Sequence, residues 1–427
     1  MKLIHNRIYF FMGIALVTIT SVLFAFCSKN NGGGGNPPPP PPPPLEAEIT
    51  ILTNETHQVI QGFGCATVFR PPNGPLTADE LDRLFGKGNG QVGLNILRIR
   101  ITEDPTWRGY ELTNAKGAIQ RGAKVIATPW SPPARFKTNN NLIGGSLKTD
   151  SGAAYAKFLN DFADYMSTNG APLYAVSVQN EPDIQVSYES CDWTASQMKE
   201  FLKNNGNLVS STKLIATESF NNNQNYTNEV LADAAAAANI DIVAGHIYGS
   251  GIVENTVAKN LGKEVWMTEH LDTNITYNAN FATAAEIHNC LTKANFSAYI
   301  WWYGKRFYGP IGEDGLTTKR GYMMSQFAKY ISPGSVRLGT GTNTKPDVLV
   351  SAYRTNAGKK IIVAINNYNS IVNQKIMLSG PAAAGSEVIP YTTAADKNAE
   401  AGTKITITNN AFTISLPPLS ITTFVEQ

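Results

Sequence analysis

Between Val59 and Ile331, short β-branched apolar runs alternate with longer stretches of helical period, and this alternation constrains the fold more tightly than any other feature of the chain. The runs fall near 59–63, 94–100, 122–129, 173–180, 213–219, 241–247, 263–269 and 296–302. Strands spaced in this way pair in parallel through crossover helices. Within the segment Ser151–Met166, Tyr155, Phe158, Leu159, Phe162 and Tyr165 recur at three- and four-residue steps, which gives a helix one apolar face. Eight such units predict a (β/α)8 TIM barrel over 59–332, whose functional side chains stand where the strands end. After Pro333 the texture changes to short alternating runs such as Val348–Tyr353, Lys360–Asn366 and Lys375–Leu378, separated by Asn, Gly and Pro turns. Residues 333–427 therefore read as an all-β side domain, a β-sandwich. Glu48–Leu52 is also strand-like, so 48–58 is expected to join that domain.

Two of the barrel runs end in glutamate: Val-Ser-Val-Gln-Asn-Glu at 176–181 and Lys-Glu-Val-Trp-Met-Thr-Glu at 263–269. An apolar run cannot bury a carboxylate, so each should emerge at the C-terminal edge of its strand, with Glu181 and Glu269 facing each other across one opening. Two carboxylates flanking a cleft are the equipment for breaking a glycosidic bond, and in retaining enzymes they stand about 5 Å apart. Glu269 suits the nucleophile. Glu181 suits the acid/base, beside Asn180, whose amide can bond a sugar hydroxyl. Most glutamates in any protein are solvated loop residues; a pair on strands four and seven of an eight-unit pattern is not explained that way.

Sugar rings stack on indole and phenol faces, and the strand ends offer Trp130, Tyr248, Trp301, Trp302 and Tyr303, with Trp193 in the loop after strand four. Adjacent Trp301 and Trp302 must point in opposite directions on a strand, so only one faces the barrel interior. Trp301 is the one assigned to substrate here, along with Trp130, Tyr248 and Trp193.

The N-terminus has the layout of an export signal. Lys2, His5 and Arg7 precede an apolar run from Ile8 to Phe26 that stops at Cys27. Residues 1–27 are read as a lipoprotein-type signal with Cys27 as the lipidation site, a plain membrane helix being the alternative. Eight prolines, Pro37–Pro44, follow Gly32–Gly35, so 28–47 should be a linker with an extended polyproline spacer. An outer-membrane or cell-surface lipoprotein, or else a periplasmic protein, is expected. The only membrane contact would be through that lipid. A net charge of +2 gives no argument for a nucleic-acid partner. Beyond Cys27 the chain has Cys65, Cys191 and Cys290, an odd count with scattered spacing that suggests structural thiols and no metal site. No cofactor is implied, and a monomer is expected.

Five motifs, Val-Ile-Gln-Gly-Phe-Gly (59–64), Asn-Ile-Leu-Arg-Ile (95–99), Pro-Trp-Ser-Pro-Pro (129–133), Ser-Val-Gln-Asn-Glu-Pro-Asp (177–183) and Trp-Met-Thr-Glu (266–269), closely resemble family 30 of the glycoside hydrolases. The stretch 299–310, Tyr-Ile-Trp-Trp-Tyr-Gly-Lys-Arg-Phe-Tyr-Gly-Pro, with Glu-Asp-Gly (313–315) and Lys-Arg-Gly-Tyr (319–322), resembles its subfamily 8, the bacterial glucuronoxylanases. The resemblance runs from about residue 48 to the end. It implies a retaining endo-β-1,4-xylanase with Glu181 as acid/base and Glu269 as nucleophile, cutting xylan where a glucuronic acid or its 4-O-methyl ether branches. Asn180, Trp130, Tyr248 and the strand-eight tryptophans match substrate-contacting positions. Arg98 matches an arginine that steadies the nucleophile. Arg306 and Tyr308 match the loop that reads the glucuronate, and a guanidinium can clasp a carboxylate through two parallel hydrogen bonds.

One stretch departs from that pattern. His270-Leu271-Asp272-Thr273-Asn274 has no tyrosine where the related enzymes help hold the branch, which loosens the expected specificity and leaves Thr273 or Asn274 as substitutes. Cys65–Pro71 also lacks a tryptophan, and Phe69 is the available aromatic. The rival readings are a xylanase without branch requirement, a family member acting on glucosylceramide or β-1,6-glucan, and a non-catalytic glycan-binding lipoprotein.

Overall fold

The computed structural model describes residues 43–68, 74–380 and 386–427. The signal segment, Cys27, most of the proline spacer and Phe69 lie outside the described residues. β1 (Leu45–Val59) opens the described chain, three residues before the expected strand, and carries its last residues in a ladder with β10 (Val336–Thr340). Val59 is thus spent in the side domain. The first barrel strand starts later than its apolar run suggested, at β2 (Gly62–Ala66).

The remaining barrel strands are β3 (Ile96–Ile101), β4 (Lys124–Pro129), β5 (Ala175–Ser177), β6 (Lys213–Ser219), β7 (Ile242–His246), β8 (Glu264–Glu269) and β9 (Ala298–Tyr303). They pair in parallel in chain order, and β9 closes on β2. β5 is shorter than its run because the chain turns toward the opening after Ser177, while Val178 and Asn180 still bond the carbonyls of Ile215 and Pro129. Gly62, with φ +140°, lets β2 approach its neighbour: a Cβ there would meet Asn95 Oδ1 at 1.8 Å. That same oxygen accepts the Phe63 N–H at 2.9 Å.

Ile96, Ile126, Ala175, Ile215, Ala244, Trp266, Ala298 and Ile300 fill the barrel interior. Because side chains alternate along a strand, residues two further on share that interior direction: Arg98 after Ile96, Thr128 after Ile126, His246 after Ala244, Trp302 after Ile300. An apolar floor under a polar rim is therefore written into the strands. Outside, the helix Gly152–Thr168 buries Tyr155, Leu159, Phe162 and Met166, as its period predicts.

The side domain comprises β1, β10, β11 (Val348–Arg354), β12 (Lys360–Asn366), β13 (Val372–Leu378), β14 (Glu387–Thr393), β15 (Glu400–Ala401), β16 (Ile405–Thr406), β17 (Ala411–Leu416) and β18 (Ser420–Glu426). Its strand order is β15-β14-β18-β12-β11-β10-β1-β13-β17, with β16 on β14. β12 is buried on both faces. Ile362 and Ala364 enter the domain's own core, while Ile361, Val363 and Ile365 belong to the core shared with the barrel. Gln326 bonds Thr393 and accepts from Thr423 across the same boundary. An apolar boundary of this kind holds the two domains as one body. Cys65, Cys191 and Cys290 are free and buried. Among the described residues no helix is long and apolar enough to cross a membrane.

Candidate active site

The polar rim gathers at the C-terminal ends of β3 to β8. Glu269 ends β8 and is 6% exposed; its Oε2 accepts from Arg98 Nη1 at 2.7 Å and its Oε1 from the Tyr248 hydroxyl at 2.8 Å. Glu181, 5% exposed, follows β5 at φ +45°. Its Oε1 lies 2.8 Å from His246 Nδ1, and its Oε2 accepts from the Tyr188 hydroxyl at 3.1 Å. One carboxylate oxygen of each glutamate and a ring nitrogen of His246 all lie within 4.8 Å of one another.

Arg98, fully buried, ties the set together. Its Nη2 donates to Asn180 Oδ1 at 2.7 Å and to Glu218 Oε1 at 3.2 Å, its Nε to Thr128 at 3.3 Å, and its guanidinium carbon sits 4.8 Å from the Trp130 ring. Glu218, near the end of β6, is a third buried carboxylate, and its Oε2 accepts from Thr128 at 3.1 Å. Burial pushes its carboxyl up, but the Arg98 charge, the His246 ring 3.9 Å away and the neighbouring Ser177 outweigh burial and hold it down at about 2. His246 is under the opposite pressures. Burial lowers it, while the Glu269 charge, the hydrogen bond to Glu181 and the nearby Glu218 carboxylate raise it to about 9. Its ring is an imidazolium at neutral pH, so Nδ1–H donates to Glu181. Burial, then the Glu269 charge, pushes the Tyr248 hydroxyl far up, which keeps it a donor. The three close donors would reach one cation by distance alone. Both Glu269 oxygens, however, already accept from Arg98 and Tyr248, and both Glu181 oxygens are engaged by His246 and Tyr188.

Arg98, Trp130, Asn180, Glu181, Tyr248 and Glu269 thus come together as their positions in the sequence predict. Two assigned aromatics do not. Trp301 is 1% exposed and packs outward, with the Arg320 guanidinium 4.6 Å from its ring. Trp302 shares the interior direction of Ile300 and packs on Trp130 at 5.7 Å and on Tyr303 at 4.8 Å. Trp193 is also core, wedged between Tyr155 and Phe201 at 6.2 and 5.4 Å. Arg306 and Tyr308 stand in the loop after β9. The Arg306 guanidinium lies 6.0 Å from the Tyr303 ring, so Tyr303, Trp302 and Trp130 form an aromatic wall running from Arg306 to Arg98. Arg306 is 39% exposed and touches Glu313 at 3.4 Å, a solvated contact of small energy.

The sequence reading missed Glu218, His246, Tyr188 and Arg320. The first two carry the signal that found Glu181 and Glu269, a charged residue at the end of an apolar strand. Arg320 is buried and donates to the carbonyls of Asp272, Asn274 and Tyr308, pinning the loops after β8 and β9 to each other. Leu271 packs against the core, and Asn274 Oδ1 is engaged by the Thr276 N–H at 3.0 Å.

A parallel barrel with paired buried carboxylates at its opening defines a glycosidase-type enzyme. The profile of the glycosyl hydrolase family 30 TIM-barrel domain matches residues 94–272, and that of the family 30 beta sandwich domain matches 334–424. The chain is 38% identical over 394 residues to glucuronoxylanase XynC of Bacillus subtilis (strain 168), covering 89% of this chain and 92% of that protein. The crystal structure of Xyn30A, a glycoside hydrolase family 30 subfamily 8 xylanase from Clostridium acetobutylicum, is similar at a TM-score of 0.83 and 38% identity, over 89% of this chain and 99% of that one. A family 30 endoxylanase from Clostridium papyrosolvens C71 follows at 0.80 and 34%, over 88% and 99%. The chain belongs to glycoside hydrolase family 30, and it is a glycoside hydrolase.

Proposed function

We propose that this enzyme is a retaining endo-β-1,4-xylanase directed to glucuronoxylan by its (4-O-methyl)glucuronic acid branches. The observation that carries the mechanism is the separation of at most 4.8 Å between an oxygen of Glu181 and one of Glu269. Retaining enzymes need about 5 Å, whereas inverting ones leave roughly 6.5–9.5 Å for a water. Glu269 attacks the anomeric carbon while Glu181 protonates the departing oxygen, giving a covalent glycosyl-enzyme. Glu181 then takes a proton from the water that displaces Glu269. Arg98 and Tyr248 fix the attacking carboxylate by donating to one oxygen each. Asn180, oriented by Arg98, is the group for a sugar hydroxyl, and Trp130 and Trp302 offer ring faces.

Branch reading is assigned to Arg306, with Tyr308 beside it. Its exposure leaves the guanidinium reachable by a glucuronate, and relatives bearing the name glucuronoxylanase support the choice of substrate. Mass spectrometry of products from glucuronoxylan beside those from arabinoxylan tests the reading. Acidic oligosaccharides with one glucuronic acid at a fixed position, from glucuronoxylan alone, are expected. Equal cleavage of both favours the branch-independent reading, for which Leu271 speaks, since it offers no hydrogen bond. Absence of cleavage refutes the xylanase.

The proposal extends to location: a bacterial lipoprotein anchored through Cys27, with the proline spacer holding a monomeric enzyme off the membrane. Incorporation of labelled palmitate, lost in Cys27→Ala, tests it.

A further inference from the structure

Glu218 has no part in the two-carboxylate reaction, yet it is completely buried and lies against both cations of the site. From β3 it faces Arg98 at 3.2 Å, from β4 Thr128 at 3.1 Å, from β5 Ser177, and from β7 His246, whose Nε2 is 3.9 Å away. The same cations reach the reacting carboxylates. Arg98 bonds Glu269 on β8, and His246 bonds Glu181, which also meets Tyr188 from its own loop. We propose that Glu218 is a positioning residue for proton transfer: its carboxylate supplies the negative charge that lets the Glu181–His246 pair hold two protons, leaving Glu181 charged with the proton it must donate. This rests on Glu181 being the acid/base.

The charges around the pair carry the argument. Glu218 and Glu269 are negative, Arg98 is positive, and the hydroxyls of Tyr188 and Tyr248 are neutral, so one uncompensated negative charge faces Glu181 and His246. A nearly dry cluster resists net charge. Neutrality is reached when the pair carries one positive charge, which is a protonated Glu181 beside an imidazolium. Without Glu218 neutrality needs only one proton on the pair. Imidazole is the more basic partner, so that proton sits on His246 and Glu181 arrives at the substrate unprotonated. The two groups share a 2.8 Å contact, so on this proposal the loss of the pair's first proton sets the alkaline limb of activity.

The test is the pH profile of kcat/KM on glucuronoxylan for wild type and Glu218→Gln. Removal of a charge at this range is expected to move the alkaline limb acidward by about one to two pH units. A uniform loss at every pH, with both limbs in place, would make Glu218 a scaffold residue and overturn the proposal. If the glutamine variant does not fold, Glu218→Asp, whose carboxylate stands one methylene back from both cations, must move the limb in the same direction by less; an unmoved limb overturns the proposal there. Carbon-13 NMR of carboxyl-labelled glutamate follows the same ionisation without substrate. Wild-type protein inactive on xylan would then refute the substrate reading and leave this one still decided by the spectra.

Discussion

The imidazolium of His246 should make the enzyme lose stability as the solution turns mildly alkaline. In the unfolded chain the ring releases its proton near 6.5, whereas the folded protein retains it to about 9. Between those values the native state binds one more proton at this ring than the unfolded state does, so the ring's contribution to stability falls with rising pH, by about 1.4 kcal/mol per unit. The contribution is complete below 6.5 and gone above 9, a loss of about 3 kcal/mol across the window. Urea unfolding of wild type and His246→Gln at intervals from pH 6 to 10 measures it. Cys65 and Cys191 also act on the alkaline side, because burial raises both thiols and they ionise in the unfolded chain first. They are common to both proteins and cancel in the difference. The variant is expected to be less stable throughout, since Glu181 loses its cationic partner, but with a flatter line between 6.5 and 9. Parallel lines over that interval would refute the assignment of the proton to His246.

Three further outcomes follow from the site. Glu269→Ala should lower kcat by roughly 10⁴-fold or more with little change in fold, and azide should restore turnover of an aryl β-xyloside as the α-glycosyl azide; residual activity near wild type without azide would exclude Glu269 as nucleophile. Arg306→Ala is expected to lower kcat/KM on glucuronoxylan by roughly 10- to 1,000-fold and on unbranched xylan only slightly. Equal losses on the two polymers would make Arg306 a loop support. The tryptophans should separate cleanly: Trp301→Ala costs about 3–5 kcal/mol of stability as a core truncation, and Trp302→Ala raises KM with a smaller change in Tm.

Legibility in the sequence followed the strength of each local constraint. Eight apolar runs located the barrel strands because a strand buried on both faces admits little else, and the same rule placed Glu181 and Glu269 where a run could no longer hide them. The offset at β2 was invisible for a different reason. Val59 is as apolar as any barrel residue, and only its pairing with Val336 assigns it to the side domain. Trp301 and Trp302 were indistinguishable by composition; what separates them is the phase of Ala298 and Ile300, which point inward. Trp193 gave no signal at all, since an aromatic in a loop reads as exposed until Tyr155 and Phe201 are seen to enclose it. The hardest feature to foresee was electrostatic. Counting charges along the chain pairs Glu181 with Glu269 and stops there, because nothing in Ala-Thr-Glu-Ser or Ala-Gly-His says that these strand ends meet. Barrel closure brings β6 and β7 beside β5 and β8, and it thereby converts two carboxylates into a cluster of five ionisable groups with Arg98, Glu218 and His246. Chemistry at this opening is consequently a property of the closed ring of strands, and a change in Glu218 should be felt at Glu181 although no bond joins their side chains.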